Sequence, residues 1–220
     1  MIGIVGGTVV RPRTADRQRR IVELAYHIAK EGQPPTGPVA MAVTEGREQS
    51  QYAHGWGSSC VELADCVMFA AGCRAECINR DEHLGRRTQT DLGWYLKGSK
   101  HDGKIIHSPK KSDLSPGDLL GYDFYRKEHG RGAHAAIFLC WLTDGRALTA
   151  DYGQPGGRVY KCKITQVGKR LISRGRMLDG VVKTNTLSFP GPCLTVGEWL
   201  EFHGLPMTPW VPYGLIGVEE

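Results

Sequence analysis

Nowhere in its 220 residues does this chain run through the ~20 uninterrupted apolar residues that a membrane-spanning helix requires, so an integral helical membrane protein is excluded. It has no internal repeat and no low-complexity segment, which excludes repeat architectures and compositionally disordered chains. Charge of one sign is also in short supply. Twenty-eight Lys and Arg against 23 Asp and Glu leave +5, which is compatible with an anionic surface but names none. The apolar opening MIGIVGGTVVRPR is too short for a secretory segment and carries Arg11 and Arg13 after its apolar run rather than before it. The expectation is a protein made in the cytoplasm without a signal peptide. Cysteines number seven, an odd count that cannot pair completely, and Cys66, Cys140 and Cys162 sit in apolar or strand-like surroundings. They are read as reduced thiols. Cys73, Cys77 and His83 have part of a zinc spacing, but no second pair completes it, so no metal or other cofactor is expected. The basic stretches RPRTADRQRR and Lys169 to Arg176 lack interleaved aromatics or a finger pattern, and nucleic acid is not an expected partner.

What is present is enough for one packed domain over residues 1–220, since 40% of the chain is hydrophobic. Ile21, Leu24, Ala25 and Ile28 form the i, i+3, i+4, i+7 stripe of a helix over Thr14 to Glu31, which Gly32 and the Pro34-Pro35 pair end. A second helix is predicted from Cys60 to Ala71, closed by Gly72, and a short third from Gln89 to Lys97. After Leu114 the pattern changes. A Ser115 to Asp118 turn leads into the strand-like LLGYDFY. The strand HAAIFLCWL then returns through an Asp144-Gly145 turn as ALTADYG, and Val159 to Ile164 alternates as a further strand. Near the C-terminus, Thr195 and Glu198 have capping-box spacing ahead of Trp199, Leu200 and Phe202, predicting a small helix packed on the core. Helices followed by antiparallel strands give an α+β fold.

The chemistry concentrates in GSSCVELADCVMFAAG. Ser59 and Glu62 have capping-box spacing, which puts Ser59 at the N-cap and Cys60 at the first helical position. There the unpaired N–H groups and the helix dipole favour a thiolate and can also donate to an oxyanion. At 100° per residue Cys60 shares a face with Leu63, Val67 and Ala71 and points toward the packed body. A thiol nucleophile needs a base. Of eight histidines, His134 opens the most apolar strand, where a loop meets the core. The residue that orients the imidazole is expected on the return strand, as Asp151 or, three residues later, Gln154.

These pieces, in this order, resemble the NlpC-like and CHAP-like cell-wall hydrolases of the papain-like cysteine peptidase group. The resemblance runs from about Thr14 to Ile164. It comprises a nucleophile opening a helix that ends in glycine (Cys60, Gly72), a following loop (LGRRTQTD), a Pro-Gly-Asp turn into a strand (LSPGDLLGYD), a histidine opening an apolar strand (HAAIFL) and a polar residue on the return (ALTADYGQ). Residues 165–220 have no counterpart in it and are expected as an extension packed on the core. The sequence differs from the family at Ser59, where an aspartate is common, and at Ala135-Ala136 after the histidine.

The resemblance implies a papain-like fold and hydrolysis of peptidoglycan amide bonds by a Cys60–His134–Asp151 triad, either in the stem peptide or between peptide and sugar. Backbone N–H of Cys60 and the Ser58 or Ser59 hydroxyl would hold the oxyanion. Trp56 and Trp94 are candidates to line the groove, or for burial. Without an export signal such an enzyme would be an antibacterial effector or a phage lysin, working as a monomer; an effector would require an immunity protein. Deamidation or proteolysis of a host protein uses the same triad and is the alternative, as is a non-catalytic nucleic-acid- or wall-binding module.

Overall fold

The computed structural model describes residues 14–30, 60–72, 103–122, 134–153, 156–189 and 191–202. Its helices are α1 (Thr14–Lys30), α2 (Cys60–Ala70) and α3 (Val196–Phe202). Its strands are β1 (Lys104–His107), β2 (Leu119–Tyr122), β3 (His134–Trp141), β4 (Ala147–Gly153), β5 (Gly156–Cys162), β6 (Ile164–Val167), β7 (Arg170–Ser173) and β8 (Arg176–Lys183). All pairings are antiparallel, in the order β5-β4-β3-β2-β8-β7-β6, with β1 beside the C-terminal half of β8. The fold is α+β, with a large antiparallel sheet.

The apolar run of β3 is explained by burial on both faces. Ala135, Ile137 and Leu139 join the helix stripes Ile21, Leu24, Ile28 and Leu63, Val67, Ala71 in one core. Ala136 and Phe138 point the other way, into a second core with Leu120, Tyr122, Cys162, Ile164, Leu171 and Leu178. A strand covered on both sides loses the alternation of polar and apolar residues seen in half-exposed ones. The second core exists because the sheet curls. Strands β5 and β6 lie at opposite ends of the pairing order, yet only Lys163 separates them in the chain. One bent segment therefore supplies both edges, with Cys162 and Ile164 buried and Lys163 exposed at the corner. The sequence pattern runs a single strand through this point, from Val159 to Ile164. The structure instead starts it at Gly156 and breaks it at Lys163, where the sheet turns the corner.

The residues after 164 are not peripheral to the sheet. Strand β8 pairs with β2 near its centre, and β6 and β7 continue it. Where β2 meets β8, Gly121 pairs with Gly180 and Tyr122 with Leu178, so Asp179 is an extra residue on β8. Such a bulge sharpens the local twist, here next to the end of β2 that faces His134.

Helix α2 is fixed at its C-terminal end by neighbours that satisfy its last carbonyls. Leu194 N–H donates to Ala70 O at 2.9 Å, Arg17 Nη1 to Ala71 O at 3.1 Å, and Gly191 N–H to Gly72 O at 2.9 Å. Gly72 has φ +91 and packs so closely on Gly191 and Pro192 that a Cβ would overlap their carbonyl oxygens. Glycine is required there on both counts. Arg17 is buried in α1, donates also to Phe189 O at 3.2 Å, and lies 4.6 Å from the Phe189 ring centroid. Arg17→Met is expected to cost about 1–3 kcal/mol, because it strips partners from buried carbonyls. Urea denaturation checks this; an unchanged midpoint would show that the clamp contributes nothing. The predicted capping box at α3 is formed: Thr195 N–H donates to Glu198 Oε2 at 2.6 Å, and Glu198 N–H to Thr195 Oγ1 at 3.0 Å. Among the described residues no helix is long and apolar enough to cross a membrane.

Candidate active site

The register of the sheet brings His134 and Asp151 together. Asp151 pairs with Ala136, two residues along β3 from His134, so the two side chains are diagonal neighbours on one face. Diagonal positions are within reach for side chains of this length. His134 Nε2 lies 2.6 Å from Asp151 Oδ1. The carboxylate is nearly inaccessible at 3%, and the imidazole keeps 17% of its surface. Across β2, Tyr122 is the direct partner of His134, with ring centroids 5.9 Å apart. Its phenol is fully buried, and desolvation pushes its pKa above the usual range.

Cys60 reaches this pair from the helix layer. It is the first residue of α2, is partly buried against the first core, and lies near enough to His134 to help raise the imidazole's pKa. The carboxylate occupies Nε2, and Nδ1 is the ring nitrogen it leaves over. The structure thus joins a thiol at a helix N-terminus, an imidazole at a strand start and a carboxylate on the return strand, from positions 74 and 17 residues apart.

The electrostatics favour a protonated imidazole. Desolvation, the largest single influence, pulls the His134 pKa down. Hydrogen bonds to Asp151 and Cys60, with their charge attraction, outweigh it and raise the value to about 9 from the usual 6.5. A group raised on folding stabilises the fold in its protonated form. The His134 contribution is therefore complete below pH 6.5, declines as the pH climbs toward 9, and is absent above that. The stability difference between wild type and His134→Gln should accordingly be largest at pH 6 and shrink by pH 10. Denaturant midpoints at the two pH values test this, and a difference independent of pH would contradict it.

A fourth group was not anticipated from the sequence. Arg174 Nη2 donates to Asp151 Oδ2, so each oxygen of the buried carboxylate has its own cationic or potentially cationic partner. Arg174 belongs to the basic stretch Lys169 to Arg176, where only the Arg174-Gly175 turn between two short strands was open to detection. An open hollow of about 700 Å³, lined by Lys111, Arg146 and Lys163 among others, lies at the opposite end of β3 and β4 and takes no part in this arrangement.

No family model, no curated protein and no solved structure matches the chain. The site is therefore judged on its own geometry. Of the residues singled out by sequence, Cys60, His134 and Asp151 are brought together. Trp56, Ser58, Ser59, Trp94 and Gln154 lie outside the described residues, as do the third predicted helix, the LGRRTQTD loop and Cys73, Cys77 and His83. Among the described residues no cluster of His, Cys, Asp and Glu has the makings of a metal site.

Proposed function

We propose that the protein is a papain-like cysteine hydrolase of the NlpC/CHAP type that cleaves amide bonds in peptidoglycan. The observation that carries the reading is the 2.6 Å contact of His134 with Asp151, at an imidazole that Cys60 also influences from the start of α2. Nucleophile, base and orienting carboxylate are the minimum for covalent acyl transfer.

In this mechanism His134, as the imidazolium, holds the proton given up by Cys60, and the sulfur attacks the amide carbonyl as a thiolate. The backbone N–H groups at the start of α2 face the developing oxyanion, where the helix dipole adds to their effect. His134 then gives its proton to the leaving amine, and a thioester remains on Cys60. Water, deprotonated by His134, attacks the thioester, releasing the carboxylic acid and restoring the thiol. Asp151 fixes the ring tautomer and orientation throughout and offsets the imidazolium charge. The peptidoglycan substrate is supported by the motif order of the NlpC/CHAP group, and the net charge of +5 suits an anionic wall.

The test is digestion of purified sacculi of several wall chemistries, with mass analysis of the released fragments. New amines and carboxyl groups released by wild type identify the scissile bond. If wild type and Cys60→Ala leave every sacculus equally intact, the substrate assignment fails.

A further inference from the structure

Arg174 is not placed by the needs of its turn. Strands β7 and β8 pair at Ser173 and Arg176, leaving Arg174 and Gly175 as a two-residue connection with φ +52 and +74. Two successive positive φ values are the mark of a type I′ turn, in which Asn or Gly fits the first position with less strain than arginine. The side chain nonetheless folds back over the sheet. Its guanidinium carbon lies 4.4 Å from the Tyr160 ring centroid, and its Nη2 reaches Asp151 Oδ2. It is 29% accessible, on the rim of the second core.

The groups around this pair come from six elements, with His134 itself on β3. His134 is met by Cys60 from α2, Tyr122 from β2 and Asp151 from β4. Asp151 is met by Arg174 from the β7–β8 turn, and its backbone pairs with that of Arg158 on β5. Tyr122 and Cys162 also lie within electrostatic range of Arg174.

We propose that Arg174 is a positioning residue of the Cys60–His134–Asp151 site, clamping one carboxylate oxygen and offsetting part of the Asp151 charge. This role rests on the acyl-transfer reading given above. A carboxylate held only by His134 is free to swing about its Cβ–Cγ bond; with Oδ2 taken by Arg174, Oδ1 is the atom left for Nε2. The charge matters as much. A buried carboxylate beside an imidazolium holds the proton tightly, which suits the thiolate but hinders its delivery to the leaving amine. A guanidinium on the far oxygen reduces that hold and balances the two demands on His134.

The experiment follows the His134 imidazole by NMR titration in the full chain, its signals assigned by their loss in His134→Gln. Arg174→Gln is expected to move the His134 titration upward by about one pH unit, the scale of a lost unit charge several ångströms away. Arg174→Lys, which keeps the charge, is expected to leave it near wild type. Arg174→Met retains alkyl contact with Tyr160 and substitutes if glutamine disturbs folding. A His134 titration in the neutral variants that stays at the wild-type value, or falls, overturns the inference. Alkylation of Cys60 by iodoacetamide, run on the same wild-type sample, reports separately on the acyl-transfer reading. An inert Cys60 would sink that reading whatever Arg174 does to the imidazole.

Discussion

Cys60→Ala is expected to lower amide hydrolysis by about five to six orders of magnitude while leaving the fold intact. The size follows from the chemistry. Without sulfur no thioester forms, and His134 with Asp151 can only activate water against an amide held in place by binding. The fold should tolerate the change because Cys60 is at the edge of the first core, at the first position of α2. The helix is anchored at its other end, by Arg17, Gly191 and Leu194. Initial rates on a defined stem-peptide substrate, with circular dichroism as the control for folding, measure it. Activity within tenfold of wild type would remove Cys60 from the mechanism.

Asp151→Asn is the second large effect, a loss of roughly 10²–10⁴-fold in kcat. The amide keeps the shape of the carboxylate but not its charge, and it can present either an oxygen or an NH₂ group to Nε2. Facing its NH₂ toward the ring, it would favour the tautomer with Nδ1 protonated, which cannot accept the thiol proton. It would also leave Arg174 without its anionic partner at a site where the native carboxylate is only 3% accessible. Some loss of stability, about 1–3 kcal/mol, should accompany the kinetic defect. Stopped assays with temperature-matched controls separate the two. Full turnover in a folded Asp151→Asn would shift the orienting role to Gln154, the neighbouring candidate.

The parts of this site that local patterns specify were readable in advance. The β3–β4 hairpin follows from HAAIFLCWL, the Asp144-Gly145 turn and ALTADYG, and a hairpin brings residues that are distant in sequence opposite one another. His134 and Asp151 meet for that reason. The helix start at Cys60 and its stop at Gly72 follow equally from local cues. The structure ends the helix at Ala70, one residue before the pattern does, with Gly72 left-handed beyond it.

What escaped depends on how the sheet bends. Lys163 carries no turn signal, since its neighbours alternate regularly. Yet the corner there creates the second core and carries β7 and β8 round toward Asp151. Strands β6 and β7 are four residues each, with polar and apolar residues in equal number and no regular alternation, and do not stand out from loop. The contact of Arg174 with Asp151 spans 23 residues and passes through that corner, so no spacing rule encodes it. The Asp118–Lys183 pair belongs to the same class. The Pro116-Gly117-Asp118 turn is plain in the sequence, but the lysine that closes on the buried carboxylate comes from the end of β8.

The central claim concerns one sulfur and the imidazole beside it, and competitive alkylation tests it most directly. Limiting iodoacetamide is added to the native full-length protein at pH 7, and the modified cysteines are mapped by peptide mass. Modification is expected first and predominantly at Cys60, ahead of the other six cysteines, with that preference lost in His134→Ala. Equal labelling of Cys60 and the other cysteines, or a rate at Cys60 indifferent to His134, would contradict the account.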